Sequence, residues 1–384
     1  MRFLHVADLH IGKVVNEFSM LEDQAYILDQ IAGLAVERKV DAVVAAGDLY
    51  DRSIPPAPAV ILLDRFLDKL SAEGIPVIAV SGNHDSPERL NFASSMLEKQ
   101  GVYLAGIYQG KVREAVLQDQ WGDVAFFLLP YLRPSVVNDC LGTGCKSFQE
   151  AAEAVLEGLP ERKGRRVLVA HQFVAAAGQP PELSDSEMPL SVGGTELVDA
   201  ALFQGFDYVA LGHLHRCQRV GQGPIYYAGS PLKYSKSEVN GRKYALLVEM
   251  DGDGRVEVKK EELRPLRDMR CIRGPLKELI REEVAALGNR EDYLFVTLTD
   301  KGELLDPMRT LRGVYPNTMQ AERETGRRIL QDRAMDAGPA KTERPGPVEL
   351  FRQFYSYAFR GEEMDEEQTA ALRKVLDEMG GEAE

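Results

Sequence analysis

The chain has 384 residues, little cysteine and no long apolar run. Its four cysteines (Cys140, Cys145, Cys217 and Cys271) form neither a CxxC pair nor a zinc-ribbon spacing, so we expect free thiols and no structural zinc module. No stretch of about 18 consecutive apolar residues is present, and we expect neither a transmembrane helix nor a membrane partner. The first strand-like run begins at Arg2, which leaves no room for a signal peptide, and the expected compartment is the cytoplasm.

The sequence also lacks an excess of positive charge. It has 60 acidic and 46 basic side chains, a net charge of −14, which taken alone argues against a nucleic-acid partner. The acidic surplus is uneven, because residues 345–384 carry much of it whereas residues 268–336 are nearly neutral and rich in arginine. The total charge is therefore a weak guide to the active face.

Up to about residue 265, apolar strand-like runs alternate with helical stretches at 19–38, 57–73, 87–99 and 147–158. The runs are Phe3–Ala7, Ala42–Ala46, Val77–Val80, Val124–Leu129, Val167–Ala170 and Tyr208–Leu211. Alternation of this kind predicts a parallel core. Later runs at Pro224–Ala228, Tyr244–Met250 and Arg255–Glu261 have no helix between them, and the turn Asp251–Gly254 predicts a hairpin between the last two. We therefore expect a mixed-sheet α/β domain over residues 1–266.

The pattern of predicted strands and helices changes after residue 266. Residues 267–336 predict a small α+β domain, with strands at Arg270–Arg273, Tyr293–Thr299 and 317–323 and helices at Pro275–Leu287 and 306–312. A linker rich in proline and glycine is predicted over residues 337–347.

Residues 348–384 then predict a tail of two helices. The first helix has an aromatic face, and the second begins with the capping box Asp365–Gln368. The tail could fold onto its own domain. A partner-docking role is favoured, because so short a hairpin cannot bury its aromatic face alone.

Five of the six histidines lie in polar clusters that each follow a strand-like run. The clusters are Asp8-Leu9-His10, Gly47–Asp51, Gly82–Asp85, Ala170-His171 and Gly212–His215. Because the carboxyl ends of parallel strands lie together, we expect one site at that edge of the sheet. Single residues of this kind usually cap turns, but five clusters after five runs favour a shared site.

The clusters supply four imidazoles, two carboxylates and one amide oxygen. These donors are Asp8, His10, Asp48, Asn83, His171, His213 and His215. Asp8 and His10 lie two residues apart on what we expect to be extended backbone, so both should point to one face, and His213 and His215 repeat this spacing. The set suits Mn²⁺, Fe²⁺ or catalytic Zn²⁺, and its size suits two ions that share a carboxylate. Two such ions would leave the pocket positive and favour a phosphate substrate.

Other residues near the clusters have more than one interpretation. His84 follows a predicted ligand, and its place suits a group that protonates the leaving oxygen, with Asp85 able to hold its tautomer. For Asp51 and Asp85 themselves, turn capping or orientation of a histidine is favoured over metal ligation. His5 lies inside the first strand and is predicted to be a core histidine. Arg52 and Arg89 could contact phosphate or be solvated surface residues.

Read in order as DLH, GDLYD, GNHD, AH and GHLH, the clusters resemble the signature of the calcineurin-like metallophosphoesterases over residues 1–235. The resemblance implies a β-sandwich of two mixed sheets flanked by helices, with a dinuclear metal site at the strand ends. It implies one ion held by Asp8, His10, Asp48 and His215. A second ion would be held by Asp48, Asn83, His171 and His213, and His84 would be the catalytic histidine.

Within that family the chain resembles the nuclease subunits of bacterial SbcCD-type complexes, through RFLHVADLHIGK, VLVAHQFV, YYAGSPLKYSKSE, YLFVTLTD and LRGVYPN. The resemblance implies a manganese-dependent 3′→5′ exonuclease and single-strand endonuclease, which hydrolyses DNA phosphodiesters with a water activated by two metal ions. The small domain would cap the DNA groove. Residues 348–384 would bind an SbcC-type ATPase, within a heterotetramer that contains a homodimer of this subunit.

Two other functions remain open. One is a stand-alone metallophosphoesterase that acts on a small phosphomonoester or a cyclic nucleotide. The other is a scaffold that keeps the fold without its chemistry. The predicted capping domain, linker and tail favour the nuclease over the first, and the presence of every expected ligand disfavours the second.

Overall fold

The computed structural model describes residues 1–160, 162–177, 179, 181–185 and 196–324, with 348, 351, 352, 355, 364, 365 and 368–373 of the tail. The strands are β1 (Arg2–Val6), β2 (Val14–Val15), β3 (Phe18–Ser19), β4 (Ala42–Ala46), β5 (Val77–Val80), β6 (Val102–Ala105), β7 (Arg113–Asp119), β8 (Gly122–Leu129), β9 (Arg165–His171), β10 (Val174–Ala175), β11 (Val198–Asp199), β12 (Tyr208–Gly212), β13 (Gln218–Arg219), β14 (Ile225–Tyr227), β15 (Lys243–Met250), β16 (Val256–Leu263), β17 (Met269–Gly274), β18 (Tyr293–Leu298) and β19 (Thr318–Arg323). The helices are α1 (Leu21–Glu37), α2 (Ala57–Ala72), α3 (Pro87–Asn91), α4 (Ser94–Leu97), α5 (Pro134–Leu141), α6 (Phe148–Glu157), α7 (Leu276–Leu279), α8 (Glu282–Ala285) and α9 (Pro307–Arg312).

Two six-stranded sheets occupy the centre of the unit Met1–Arg323. The first has the order β16-β15-β1-β4-β5-β6 and the second β13-β14-β12-β9-β8-β7. In the first sheet β1, β4, β5 and β6 run parallel, β15 pairs antiparallel with β1, and β16 pairs antiparallel with β15 at the edge. In the second sheet β8, β9, β12 and β14 run parallel, with antiparallel strands at both edges. The expected mixed α/β architecture with a parallel core is confirmed.

The two sheets pack face to face and share one apolar core. Phe3 and Val44 of the first sheet join Phe126 and Val169 of the second in this core, and the rings of Phe3 and Phe126 meet edge to face at 5.5 Å. Helices α1 and α2 cover the outer face of the first sheet, and α5 and α6 cover the second. Strands covered on both faces must be apolar throughout, and β4 is accordingly buried at all five residues.

The small sheet β17-β18-β19 is parallel, with α7 and α8 before β18 and α9 before β19. One of its faces packs on those helices, while Tyr293 and Phe295 of β18 enter the core around α1. Asp23 of α1 is fully buried and accepts hydrogen bonds from the Tyr293 hydroxyl (2.8 Å) and the Arg267 guanidinium (2.7 Å). The small α+β region is therefore held on α1 by a buried carboxylate.

Two helices predicted as continuous are broken. The stretch 87–99 divides into α3 and α4 because Ala93 adopts a left-handed conformation with φ of 56°. The stretch 275–287 divides into α7 and α8, with Arg281 extended between them. The spacing of apolar residues depends on which face is buried. It can therefore continue across a point where the helix is interrupted. Strands β6 and β7, helix α5 and the two-residue strands β2, β3, β10, β11 and β13 are additional to the predicted elements.

The described tail residues 351, 352, 355 and 368–373 are helical. Gln368 donates its backbone N–H to the Asp365 carboxylate (2.7 Å), and Asp365 donates its own to Gln368 Oε1 (3.0 Å). This is the predicted capping box. The predicted linker 337–347 lies outside the described residues.

The four cysteines are free thiols, as expected. In the part of the chain that the structure describes, no helix has both the length and the apolar character needed to cross a membrane.

Candidate metal centre

The seven predicted donors meet where the parallel strands of both sheets end. Asp8, His10, Asp48 and Asn83 follow β1, β4 and β5, His171 ends β9, and His213 and His215 follow β12. Donor atoms of Asp8, His10 and His215 lie within 4.8 Å of one another, as do those of Asp8, Asp48 and His171. The structure therefore brings together in space clusters that are more than 200 residues apart in sequence.

The extended backbone expected at Asp8, His10 and His213 is wrong, and Asp48 also departs from strand geometry. Asp8, His10, Asp48 and His213 have φ values of 53°, 45°, 50° and 107°. Non-glycine residues rarely adopt positive φ, and each such residue costs on the order of 1–3 kcal/mol. The chain turns sharply after β1, β4 and β12, and these turns, instead of the alternation of a strand, direct their donors into the site, whereas His171 is still part of β9.

His10 and His215 form one half of the site. Their Nε2 atoms face each other at 3.0 Å, and both side chains are nearly fully buried. Asp8 lies beside them, and its Oδ1 accepts the His213 backbone N–H at 2.8 Å. The Oδ2 atom of Asp8 and the Nδ1 atom of His10 are buried without a hydrogen-bond partner. Buried polar atoms are normally satisfied, so the unpartnered Asp8 Oδ2 indicates that a ligand belongs here, whereas His10 Nδ1 faces the Asp51 carboxylate at 3.7 Å.

His171, Asn83 and His213 form the other half. His171 donates from Nδ1 to the Ala46 carbonyl oxygen (2.8 Å), while its Nε2 lies 3.0 Å from Asn83 Oδ1. His213 Nδ1 lies 3.1 Å from the same oxygen. The Ala46 carbonyl fixes which nitrogen of His171 faces the site, as an outer hydrogen bond commonly does for a metal-binding histidine.

Asp48 lies between the two halves. Its Oδ2 is 3.3 Å from His171 Nε2 and 3.7 Å from His10 Nε2. Its Oδ1 accepts the His84 backbone N–H at 2.9 Å. The carboxylate of Asp48 is thus close to histidines of both halves.

Burial dominates the electrostatics of the site. Burial raises the pKa of Asp8 to about 7, although the nearby charge of His171 acts the other way. Burial lowers the pKa of His213 to about 3 and that of His10 well below its usual value. For His171 the burial effect is exceeded by Asp48 and Asp8, which raise its pKa to about 9. Burial also opposes ionisation of Asp48, yet the charge and hydrogen bond of His171 hold its pKa below the ordinary value.

His84 stands at the edge of the site, half-buried. Its Nδ1 donates to the Asp51 carbonyl oxygen (2.9 Å), and its ring meets the His10 ring edge to face at 4.8 Å. Asp85 does not hold the tautomer of His84, which the sequence had left possible. Its buried carboxylate instead accepts the backbone N–H groups of Leu49, Tyr50 and Gly82, and it thereby ties two ligand loops together.

Burial, together with the charge of Asp48, raises the pKa of Asp85 to about 6. The carboxylate of Asp51 contacts Lys13 at 2.7 Å and lies 3.7 Å from His10 Nδ1. Both aspartates therefore contact ligand loops from behind.

His5 is the predicted core histidine. Its Nε2 donates to the Leu211 carbonyl oxygen (3.1 Å), its Nδ1 accepts from the Tyr208 hydroxyl (3.0 Å), and burial lowers its pKa to about 3. Arg52 and Arg89 are exposed, and the guanidinium of Arg52 lies 3.7 Å from the Asp51 carboxylate.

The structure adds supporting residues that the sequence did not reveal. Gln24 of α1 is buried and donates to the His10 carbonyl oxygen (2.7 Å), while its Oε1 accepts the Gly12 N–H (2.9 Å). Tyr234 donates its hydroxyl to the Leu9 carbonyl oxygen at 2.6 Å. Gln24 could have been found from the sequence, because it is a polar residue on the face of α1 that is otherwise apolar and buried. No local signal marked Tyr234.

The donors present fit divalent cations. Nitrogen and oxygen donors without thiolate suit borderline to hard ions, and buried histidines with lowered pKa carry the neutral form that binds metal. The buried Asp8 Oδ2, which has no hydrogen-bond partner, independently indicates that a cation belongs at this site.

Comparison with known proteins identifies relatives for both regions. Residues 1–217 match the family model described as calcineurin-like phosphoesterase, and residues 265–358 match the model described as type 5 capsule protein repressor C-terminal domain. The SbcD subunit of the nuclease SbcCD from Staphylococcus epidermidis is 34% identical over 324 residues, which cover 83% of this chain and 84% of that protein.

Two solved structures are more distant. The protein TT1561 of Thermus thermophilus is 13% identical, with a TM-score of 0.40, and the match covers 68% of this chain and 99% of that one. A dimetal phosphatase from Danio rerio is 12% identical, with a TM-score of 0.39, and covers 69% and 98% respectively.

Proposed function

Because the chain belongs to the calcineurin-like phosphoesterase family and to its SbcD-type members, we propose that it is the metal-dependent DNA nuclease subunit of an SbcCD-type ATPase–nuclease complex. It would hydrolyse DNA phosphodiesters as a 3′→5′ exonuclease and single-strand endonuclease in DNA end processing, repair and recombination, in the cytoplasm with its substrate. One observation carries the proposal. Seven oxygen and nitrogen donors from five strand ends converge around Asp48, and the buried Asp8 Oδ2 is left without a hydrogen-bond partner.

Two cations would be held by overlapping sets of residues. Asp8, His10, Asp48 and His215 would bind one, and Asp48, Asn83, His171 and His213 the other, so that Asp48 is shared. When bound, the two ions would neutralise the phosphate and activate a water for attack on phosphorus. Carboxylate, amide and imidazole donors together suit Mn²⁺, Fe²⁺ or catalytic Zn²⁺, and the family resemblance favours manganese among them.

His84 would act on the leaving oxygen. Its Nδ1–H is committed to the Asp51 carbonyl, so any gain or loss of a proton occurs at Nε2. The ring stands beside His10, at the edge of the ligand set and half-exposed, where a substrate atom can reach it. A proton donated from Nε2 would stabilise the departing alkoxide, the usual contribution of a general acid.

An apolar surface beside the site supports a homodimer. Ile54, Ile61, Phe92 and Met96 are 68%, 66%, 80% and 72% exposed. Phe92 also lines a groove between α2 and α3 with Val60, and such patches commonly mark protein contacts. We expect Phe92→Ser to lower the self-association measured by sedimentation, whereas Trp121→Ser, at an exposed site on the β7–β8 turn, should leave it unchanged.

The remaining assignments concern the small domain and the tail. Residues 267–336 would cap the DNA groove, and residues 348–384 would bind the SbcC-type ATPase within a heterotetramer. Deletion of residues 347–384 should abolish co-purification with the ATPase while leaving basal nuclease activity. Retained co-purification would contradict the role of the tail.

The central experiment compares substrates. With Mn²⁺, the purified chain should degrade a labelled DNA duplex and nick single-stranded DNA, and should hydrolyse para-nitrophenyl phosphate poorly. Efficient hydrolysis of the small ester without action on DNA would instead assign a stand-alone phosphoesterase. Metal binding without turnover of either substrate would assign a scaffold.

A further inference from the structure

A buried ion pair lies directly behind His215. Lys243 at the start of β15 and Glu238 in the preceding loop are 8% and 6% exposed at their side chains and contact each other. Lys243 Nζ also donates to the His215 carbonyl oxygen and to Ser230 Oγ, each at 2.8 Å. One ammonium group therefore holds both the backbone of His215 and the carboxylate of Glu238.

Glu238 faces the ring of His215 on the side away from the cluster. Its Oε1 lies 3.7 Å from His215 Nδ1 and accepts the Ser235 hydroxyl at 2.9 Å. On the opposite edge of the same ring, Nε2 faces His10. A carboxylate behind Nδ1 favours the tautomer with the proton on Nδ1, which leaves the Nε2 lone pair directed into the site.

We propose that Glu238, held in place by Lys243, is the positioning residue that sets the tautomer and orientation of His215 for one of the two cations. This inference rests on the proposed function, because it assumes that the cluster binds metal. Glu238 contacts no substrate atom in this scheme and acts only through His215. Loss of the pair is expected to weaken binding of the cation that His215 holds and to change binding of the other cation little.

A purely structural role for the pair has less physical support. Removing two charges from water costs several kcal/mol per ion, and replacing a buried pair by apolar residues is often neutral or stabilising. Stability alone therefore gives little reason for these two charges to be buried here. Orientation of a ligand does give a reason, because outer contacts of this kind typically change metal affinity about 10- to 100-fold.

The chain contains a matched control pair. Asp119 and Arg165 are 8% and 5% exposed at their side chains and form a bidentate contact. Arg165 begins β9 whereas His171 ends it, so the pair lies roughly 20 Å from the cluster at about 3.3 Å per residue. The Asp119 carboxylate also contacts the buried N-terminal ammonium of Met1 at 2.5 Å, so neutralising this pair disturbs buried charges at least as much, without contact to any proposed ligand.

The test measures Mn²⁺ binding by titration calorimetry on the full-length, metal-stripped chain. Because a single substitution leaves one buried charge unpaired, the main variant is the double Glu238→Gln/Lys243→Met, with Glu238→Gln alone as a second variant. The control is Asp119→Asn/Arg165→Met. Circular dichroism and urea midpoints establish that each variant is folded.

We expect Glu238→Gln/Lys243→Met to weaken one of the two binding steps about 10- to 100-fold and the other by less than about threefold. The control should leave both steps within about twofold of the wild type, whatever its effect on stability. Both steps unchanged in a folded double variant would overturn the positioning role and leave the proposed function intact. Absence of Mn²⁺ binding by the wild type would overturn both.

Discussion

Asp8→Asn is expected to stabilise the chain when a chelator removes divalent cations and to abolish its stabilisation by manganese. The carboxylate of Asp8 is fully buried, and its Oδ2 has no hydrogen-bond partner. A buried charge without a full set of partners destabilises the folded state. A bound cation reverses this effect, because the negative charge then becomes the attraction that holds the ion.

The magnitude follows from the pKa of Asp8, which burial raises from 3.8 to about 7. Between these values the folded chain binds more protons than the unfolded chain, so the free energy of unfolding falls as pH rises from 4 to 7. About three pKa units correspond to a cost of about 4 kcal/mol at pH 8. Asparagine removes this cost but leaves a buried amide unpartnered, at about 1–3 kcal/mol. The net gain should be about 1–3 kcal/mol.

The assay is urea denaturation of the wild type and Asp8→Asn at pH 5 and pH 8, with EDTA or with saturating Mn²⁺. Taking the difference between the two proteins cancels the histidine titrations that do not depend on Asp8. In EDTA, the variant should be more stable than the wild type at pH 8 and lose this advantage toward pH 4. With Mn²⁺ at 100 times its Kd, the wild type should gain about 2.7 kcal/mol and the variant much less.

Asp119→Asn serves as the comparison for Asp8→Asn, because it is expected to lower the free energy of unfolding where Asp8→Asn raises it. The hydrogen bond from Arg165 holds the pKa of Asp119 well below its usual value. A carboxylate with a depressed pKa contributes stability above about pH 4 and loses it as the pH falls further. Asparagine at this position should destabilise the chain at pH 8, by about 3–5 kcal/mol for a broken buried pair. The difference in free energy of unfolding between the wild type and Asp119→Asn should become smaller below pH 4.

One result would refute the reasoning about Asp8. If Asp8→Asn lowers the stability of the chelated protein by the same amount at pH 5 and pH 8, the ionised carboxylate is not a cost to the folded state. The unpartnered Oδ2 would then carry no information about a bound cation.

Asp48→Ala should reduce the metal content, measured by plasma mass spectrometry, from two ions per chain to none, and retention of one ion would show that the carboxylate is not shared. His84→Ala should lower DNA hydrolysis about 10²- to 10⁴-fold while two ions remain bound, and loss of metal would place His84 among the ligands. Gly212→Ala should lower the urea midpoint and the metal content, because its Cβ would overlap the Ala46 carbonyl oxygen. Gly33→Ala, which meets nothing within 4 Å inside α1, should raise the midpoint slightly, and a similar loss in both variants would contradict the steric argument.

The position of the candidate site could be predicted because it depends on one property of the chain. Apolar runs predict buried parallel strands, and the ends of such strands meet whatever the details of packing. Asp8 and Asp48 follow β1 and β4, which are neighbours in the sheet. The division into two sheets came only from the family resemblance, since strand partners are set by contacts distant in sequence.

The backbone at the strand ends was predicted wrongly for a physical reason. Two-residue spacing suggests a strand, but Asp8 and His10 both adopt left-handed φ values, in a turn between β1 and the bridge that pairs Ile11 with Tyr50. Such a conformation is unfavourable for either residue alone and persists only because surrounding contacts over-determine it. Gln24 and Tyr234 supply several of those contacts from distant segments. Local preference therefore predicts the wrong backbone where tertiary contacts outweigh it.

The residues that contact the ligands from behind could not be predicted from the sequence, for a related reason. Tyr234-Ser235-Lys236-Ser237-Glu238 reads as a polar surface loop, because charged and hydroxyl side chains are mostly solvated. Glu238 is nevertheless buried, and its burial is tolerable because Lys243 and Ser235 lie against its carboxylate. Each charge would be costly without the other, so neither residue alone predicts its environment. A donor type and a strand end are enough to predict a ligand, whereas the group that orients it is defined by a partner and can be found only once the chain is folded.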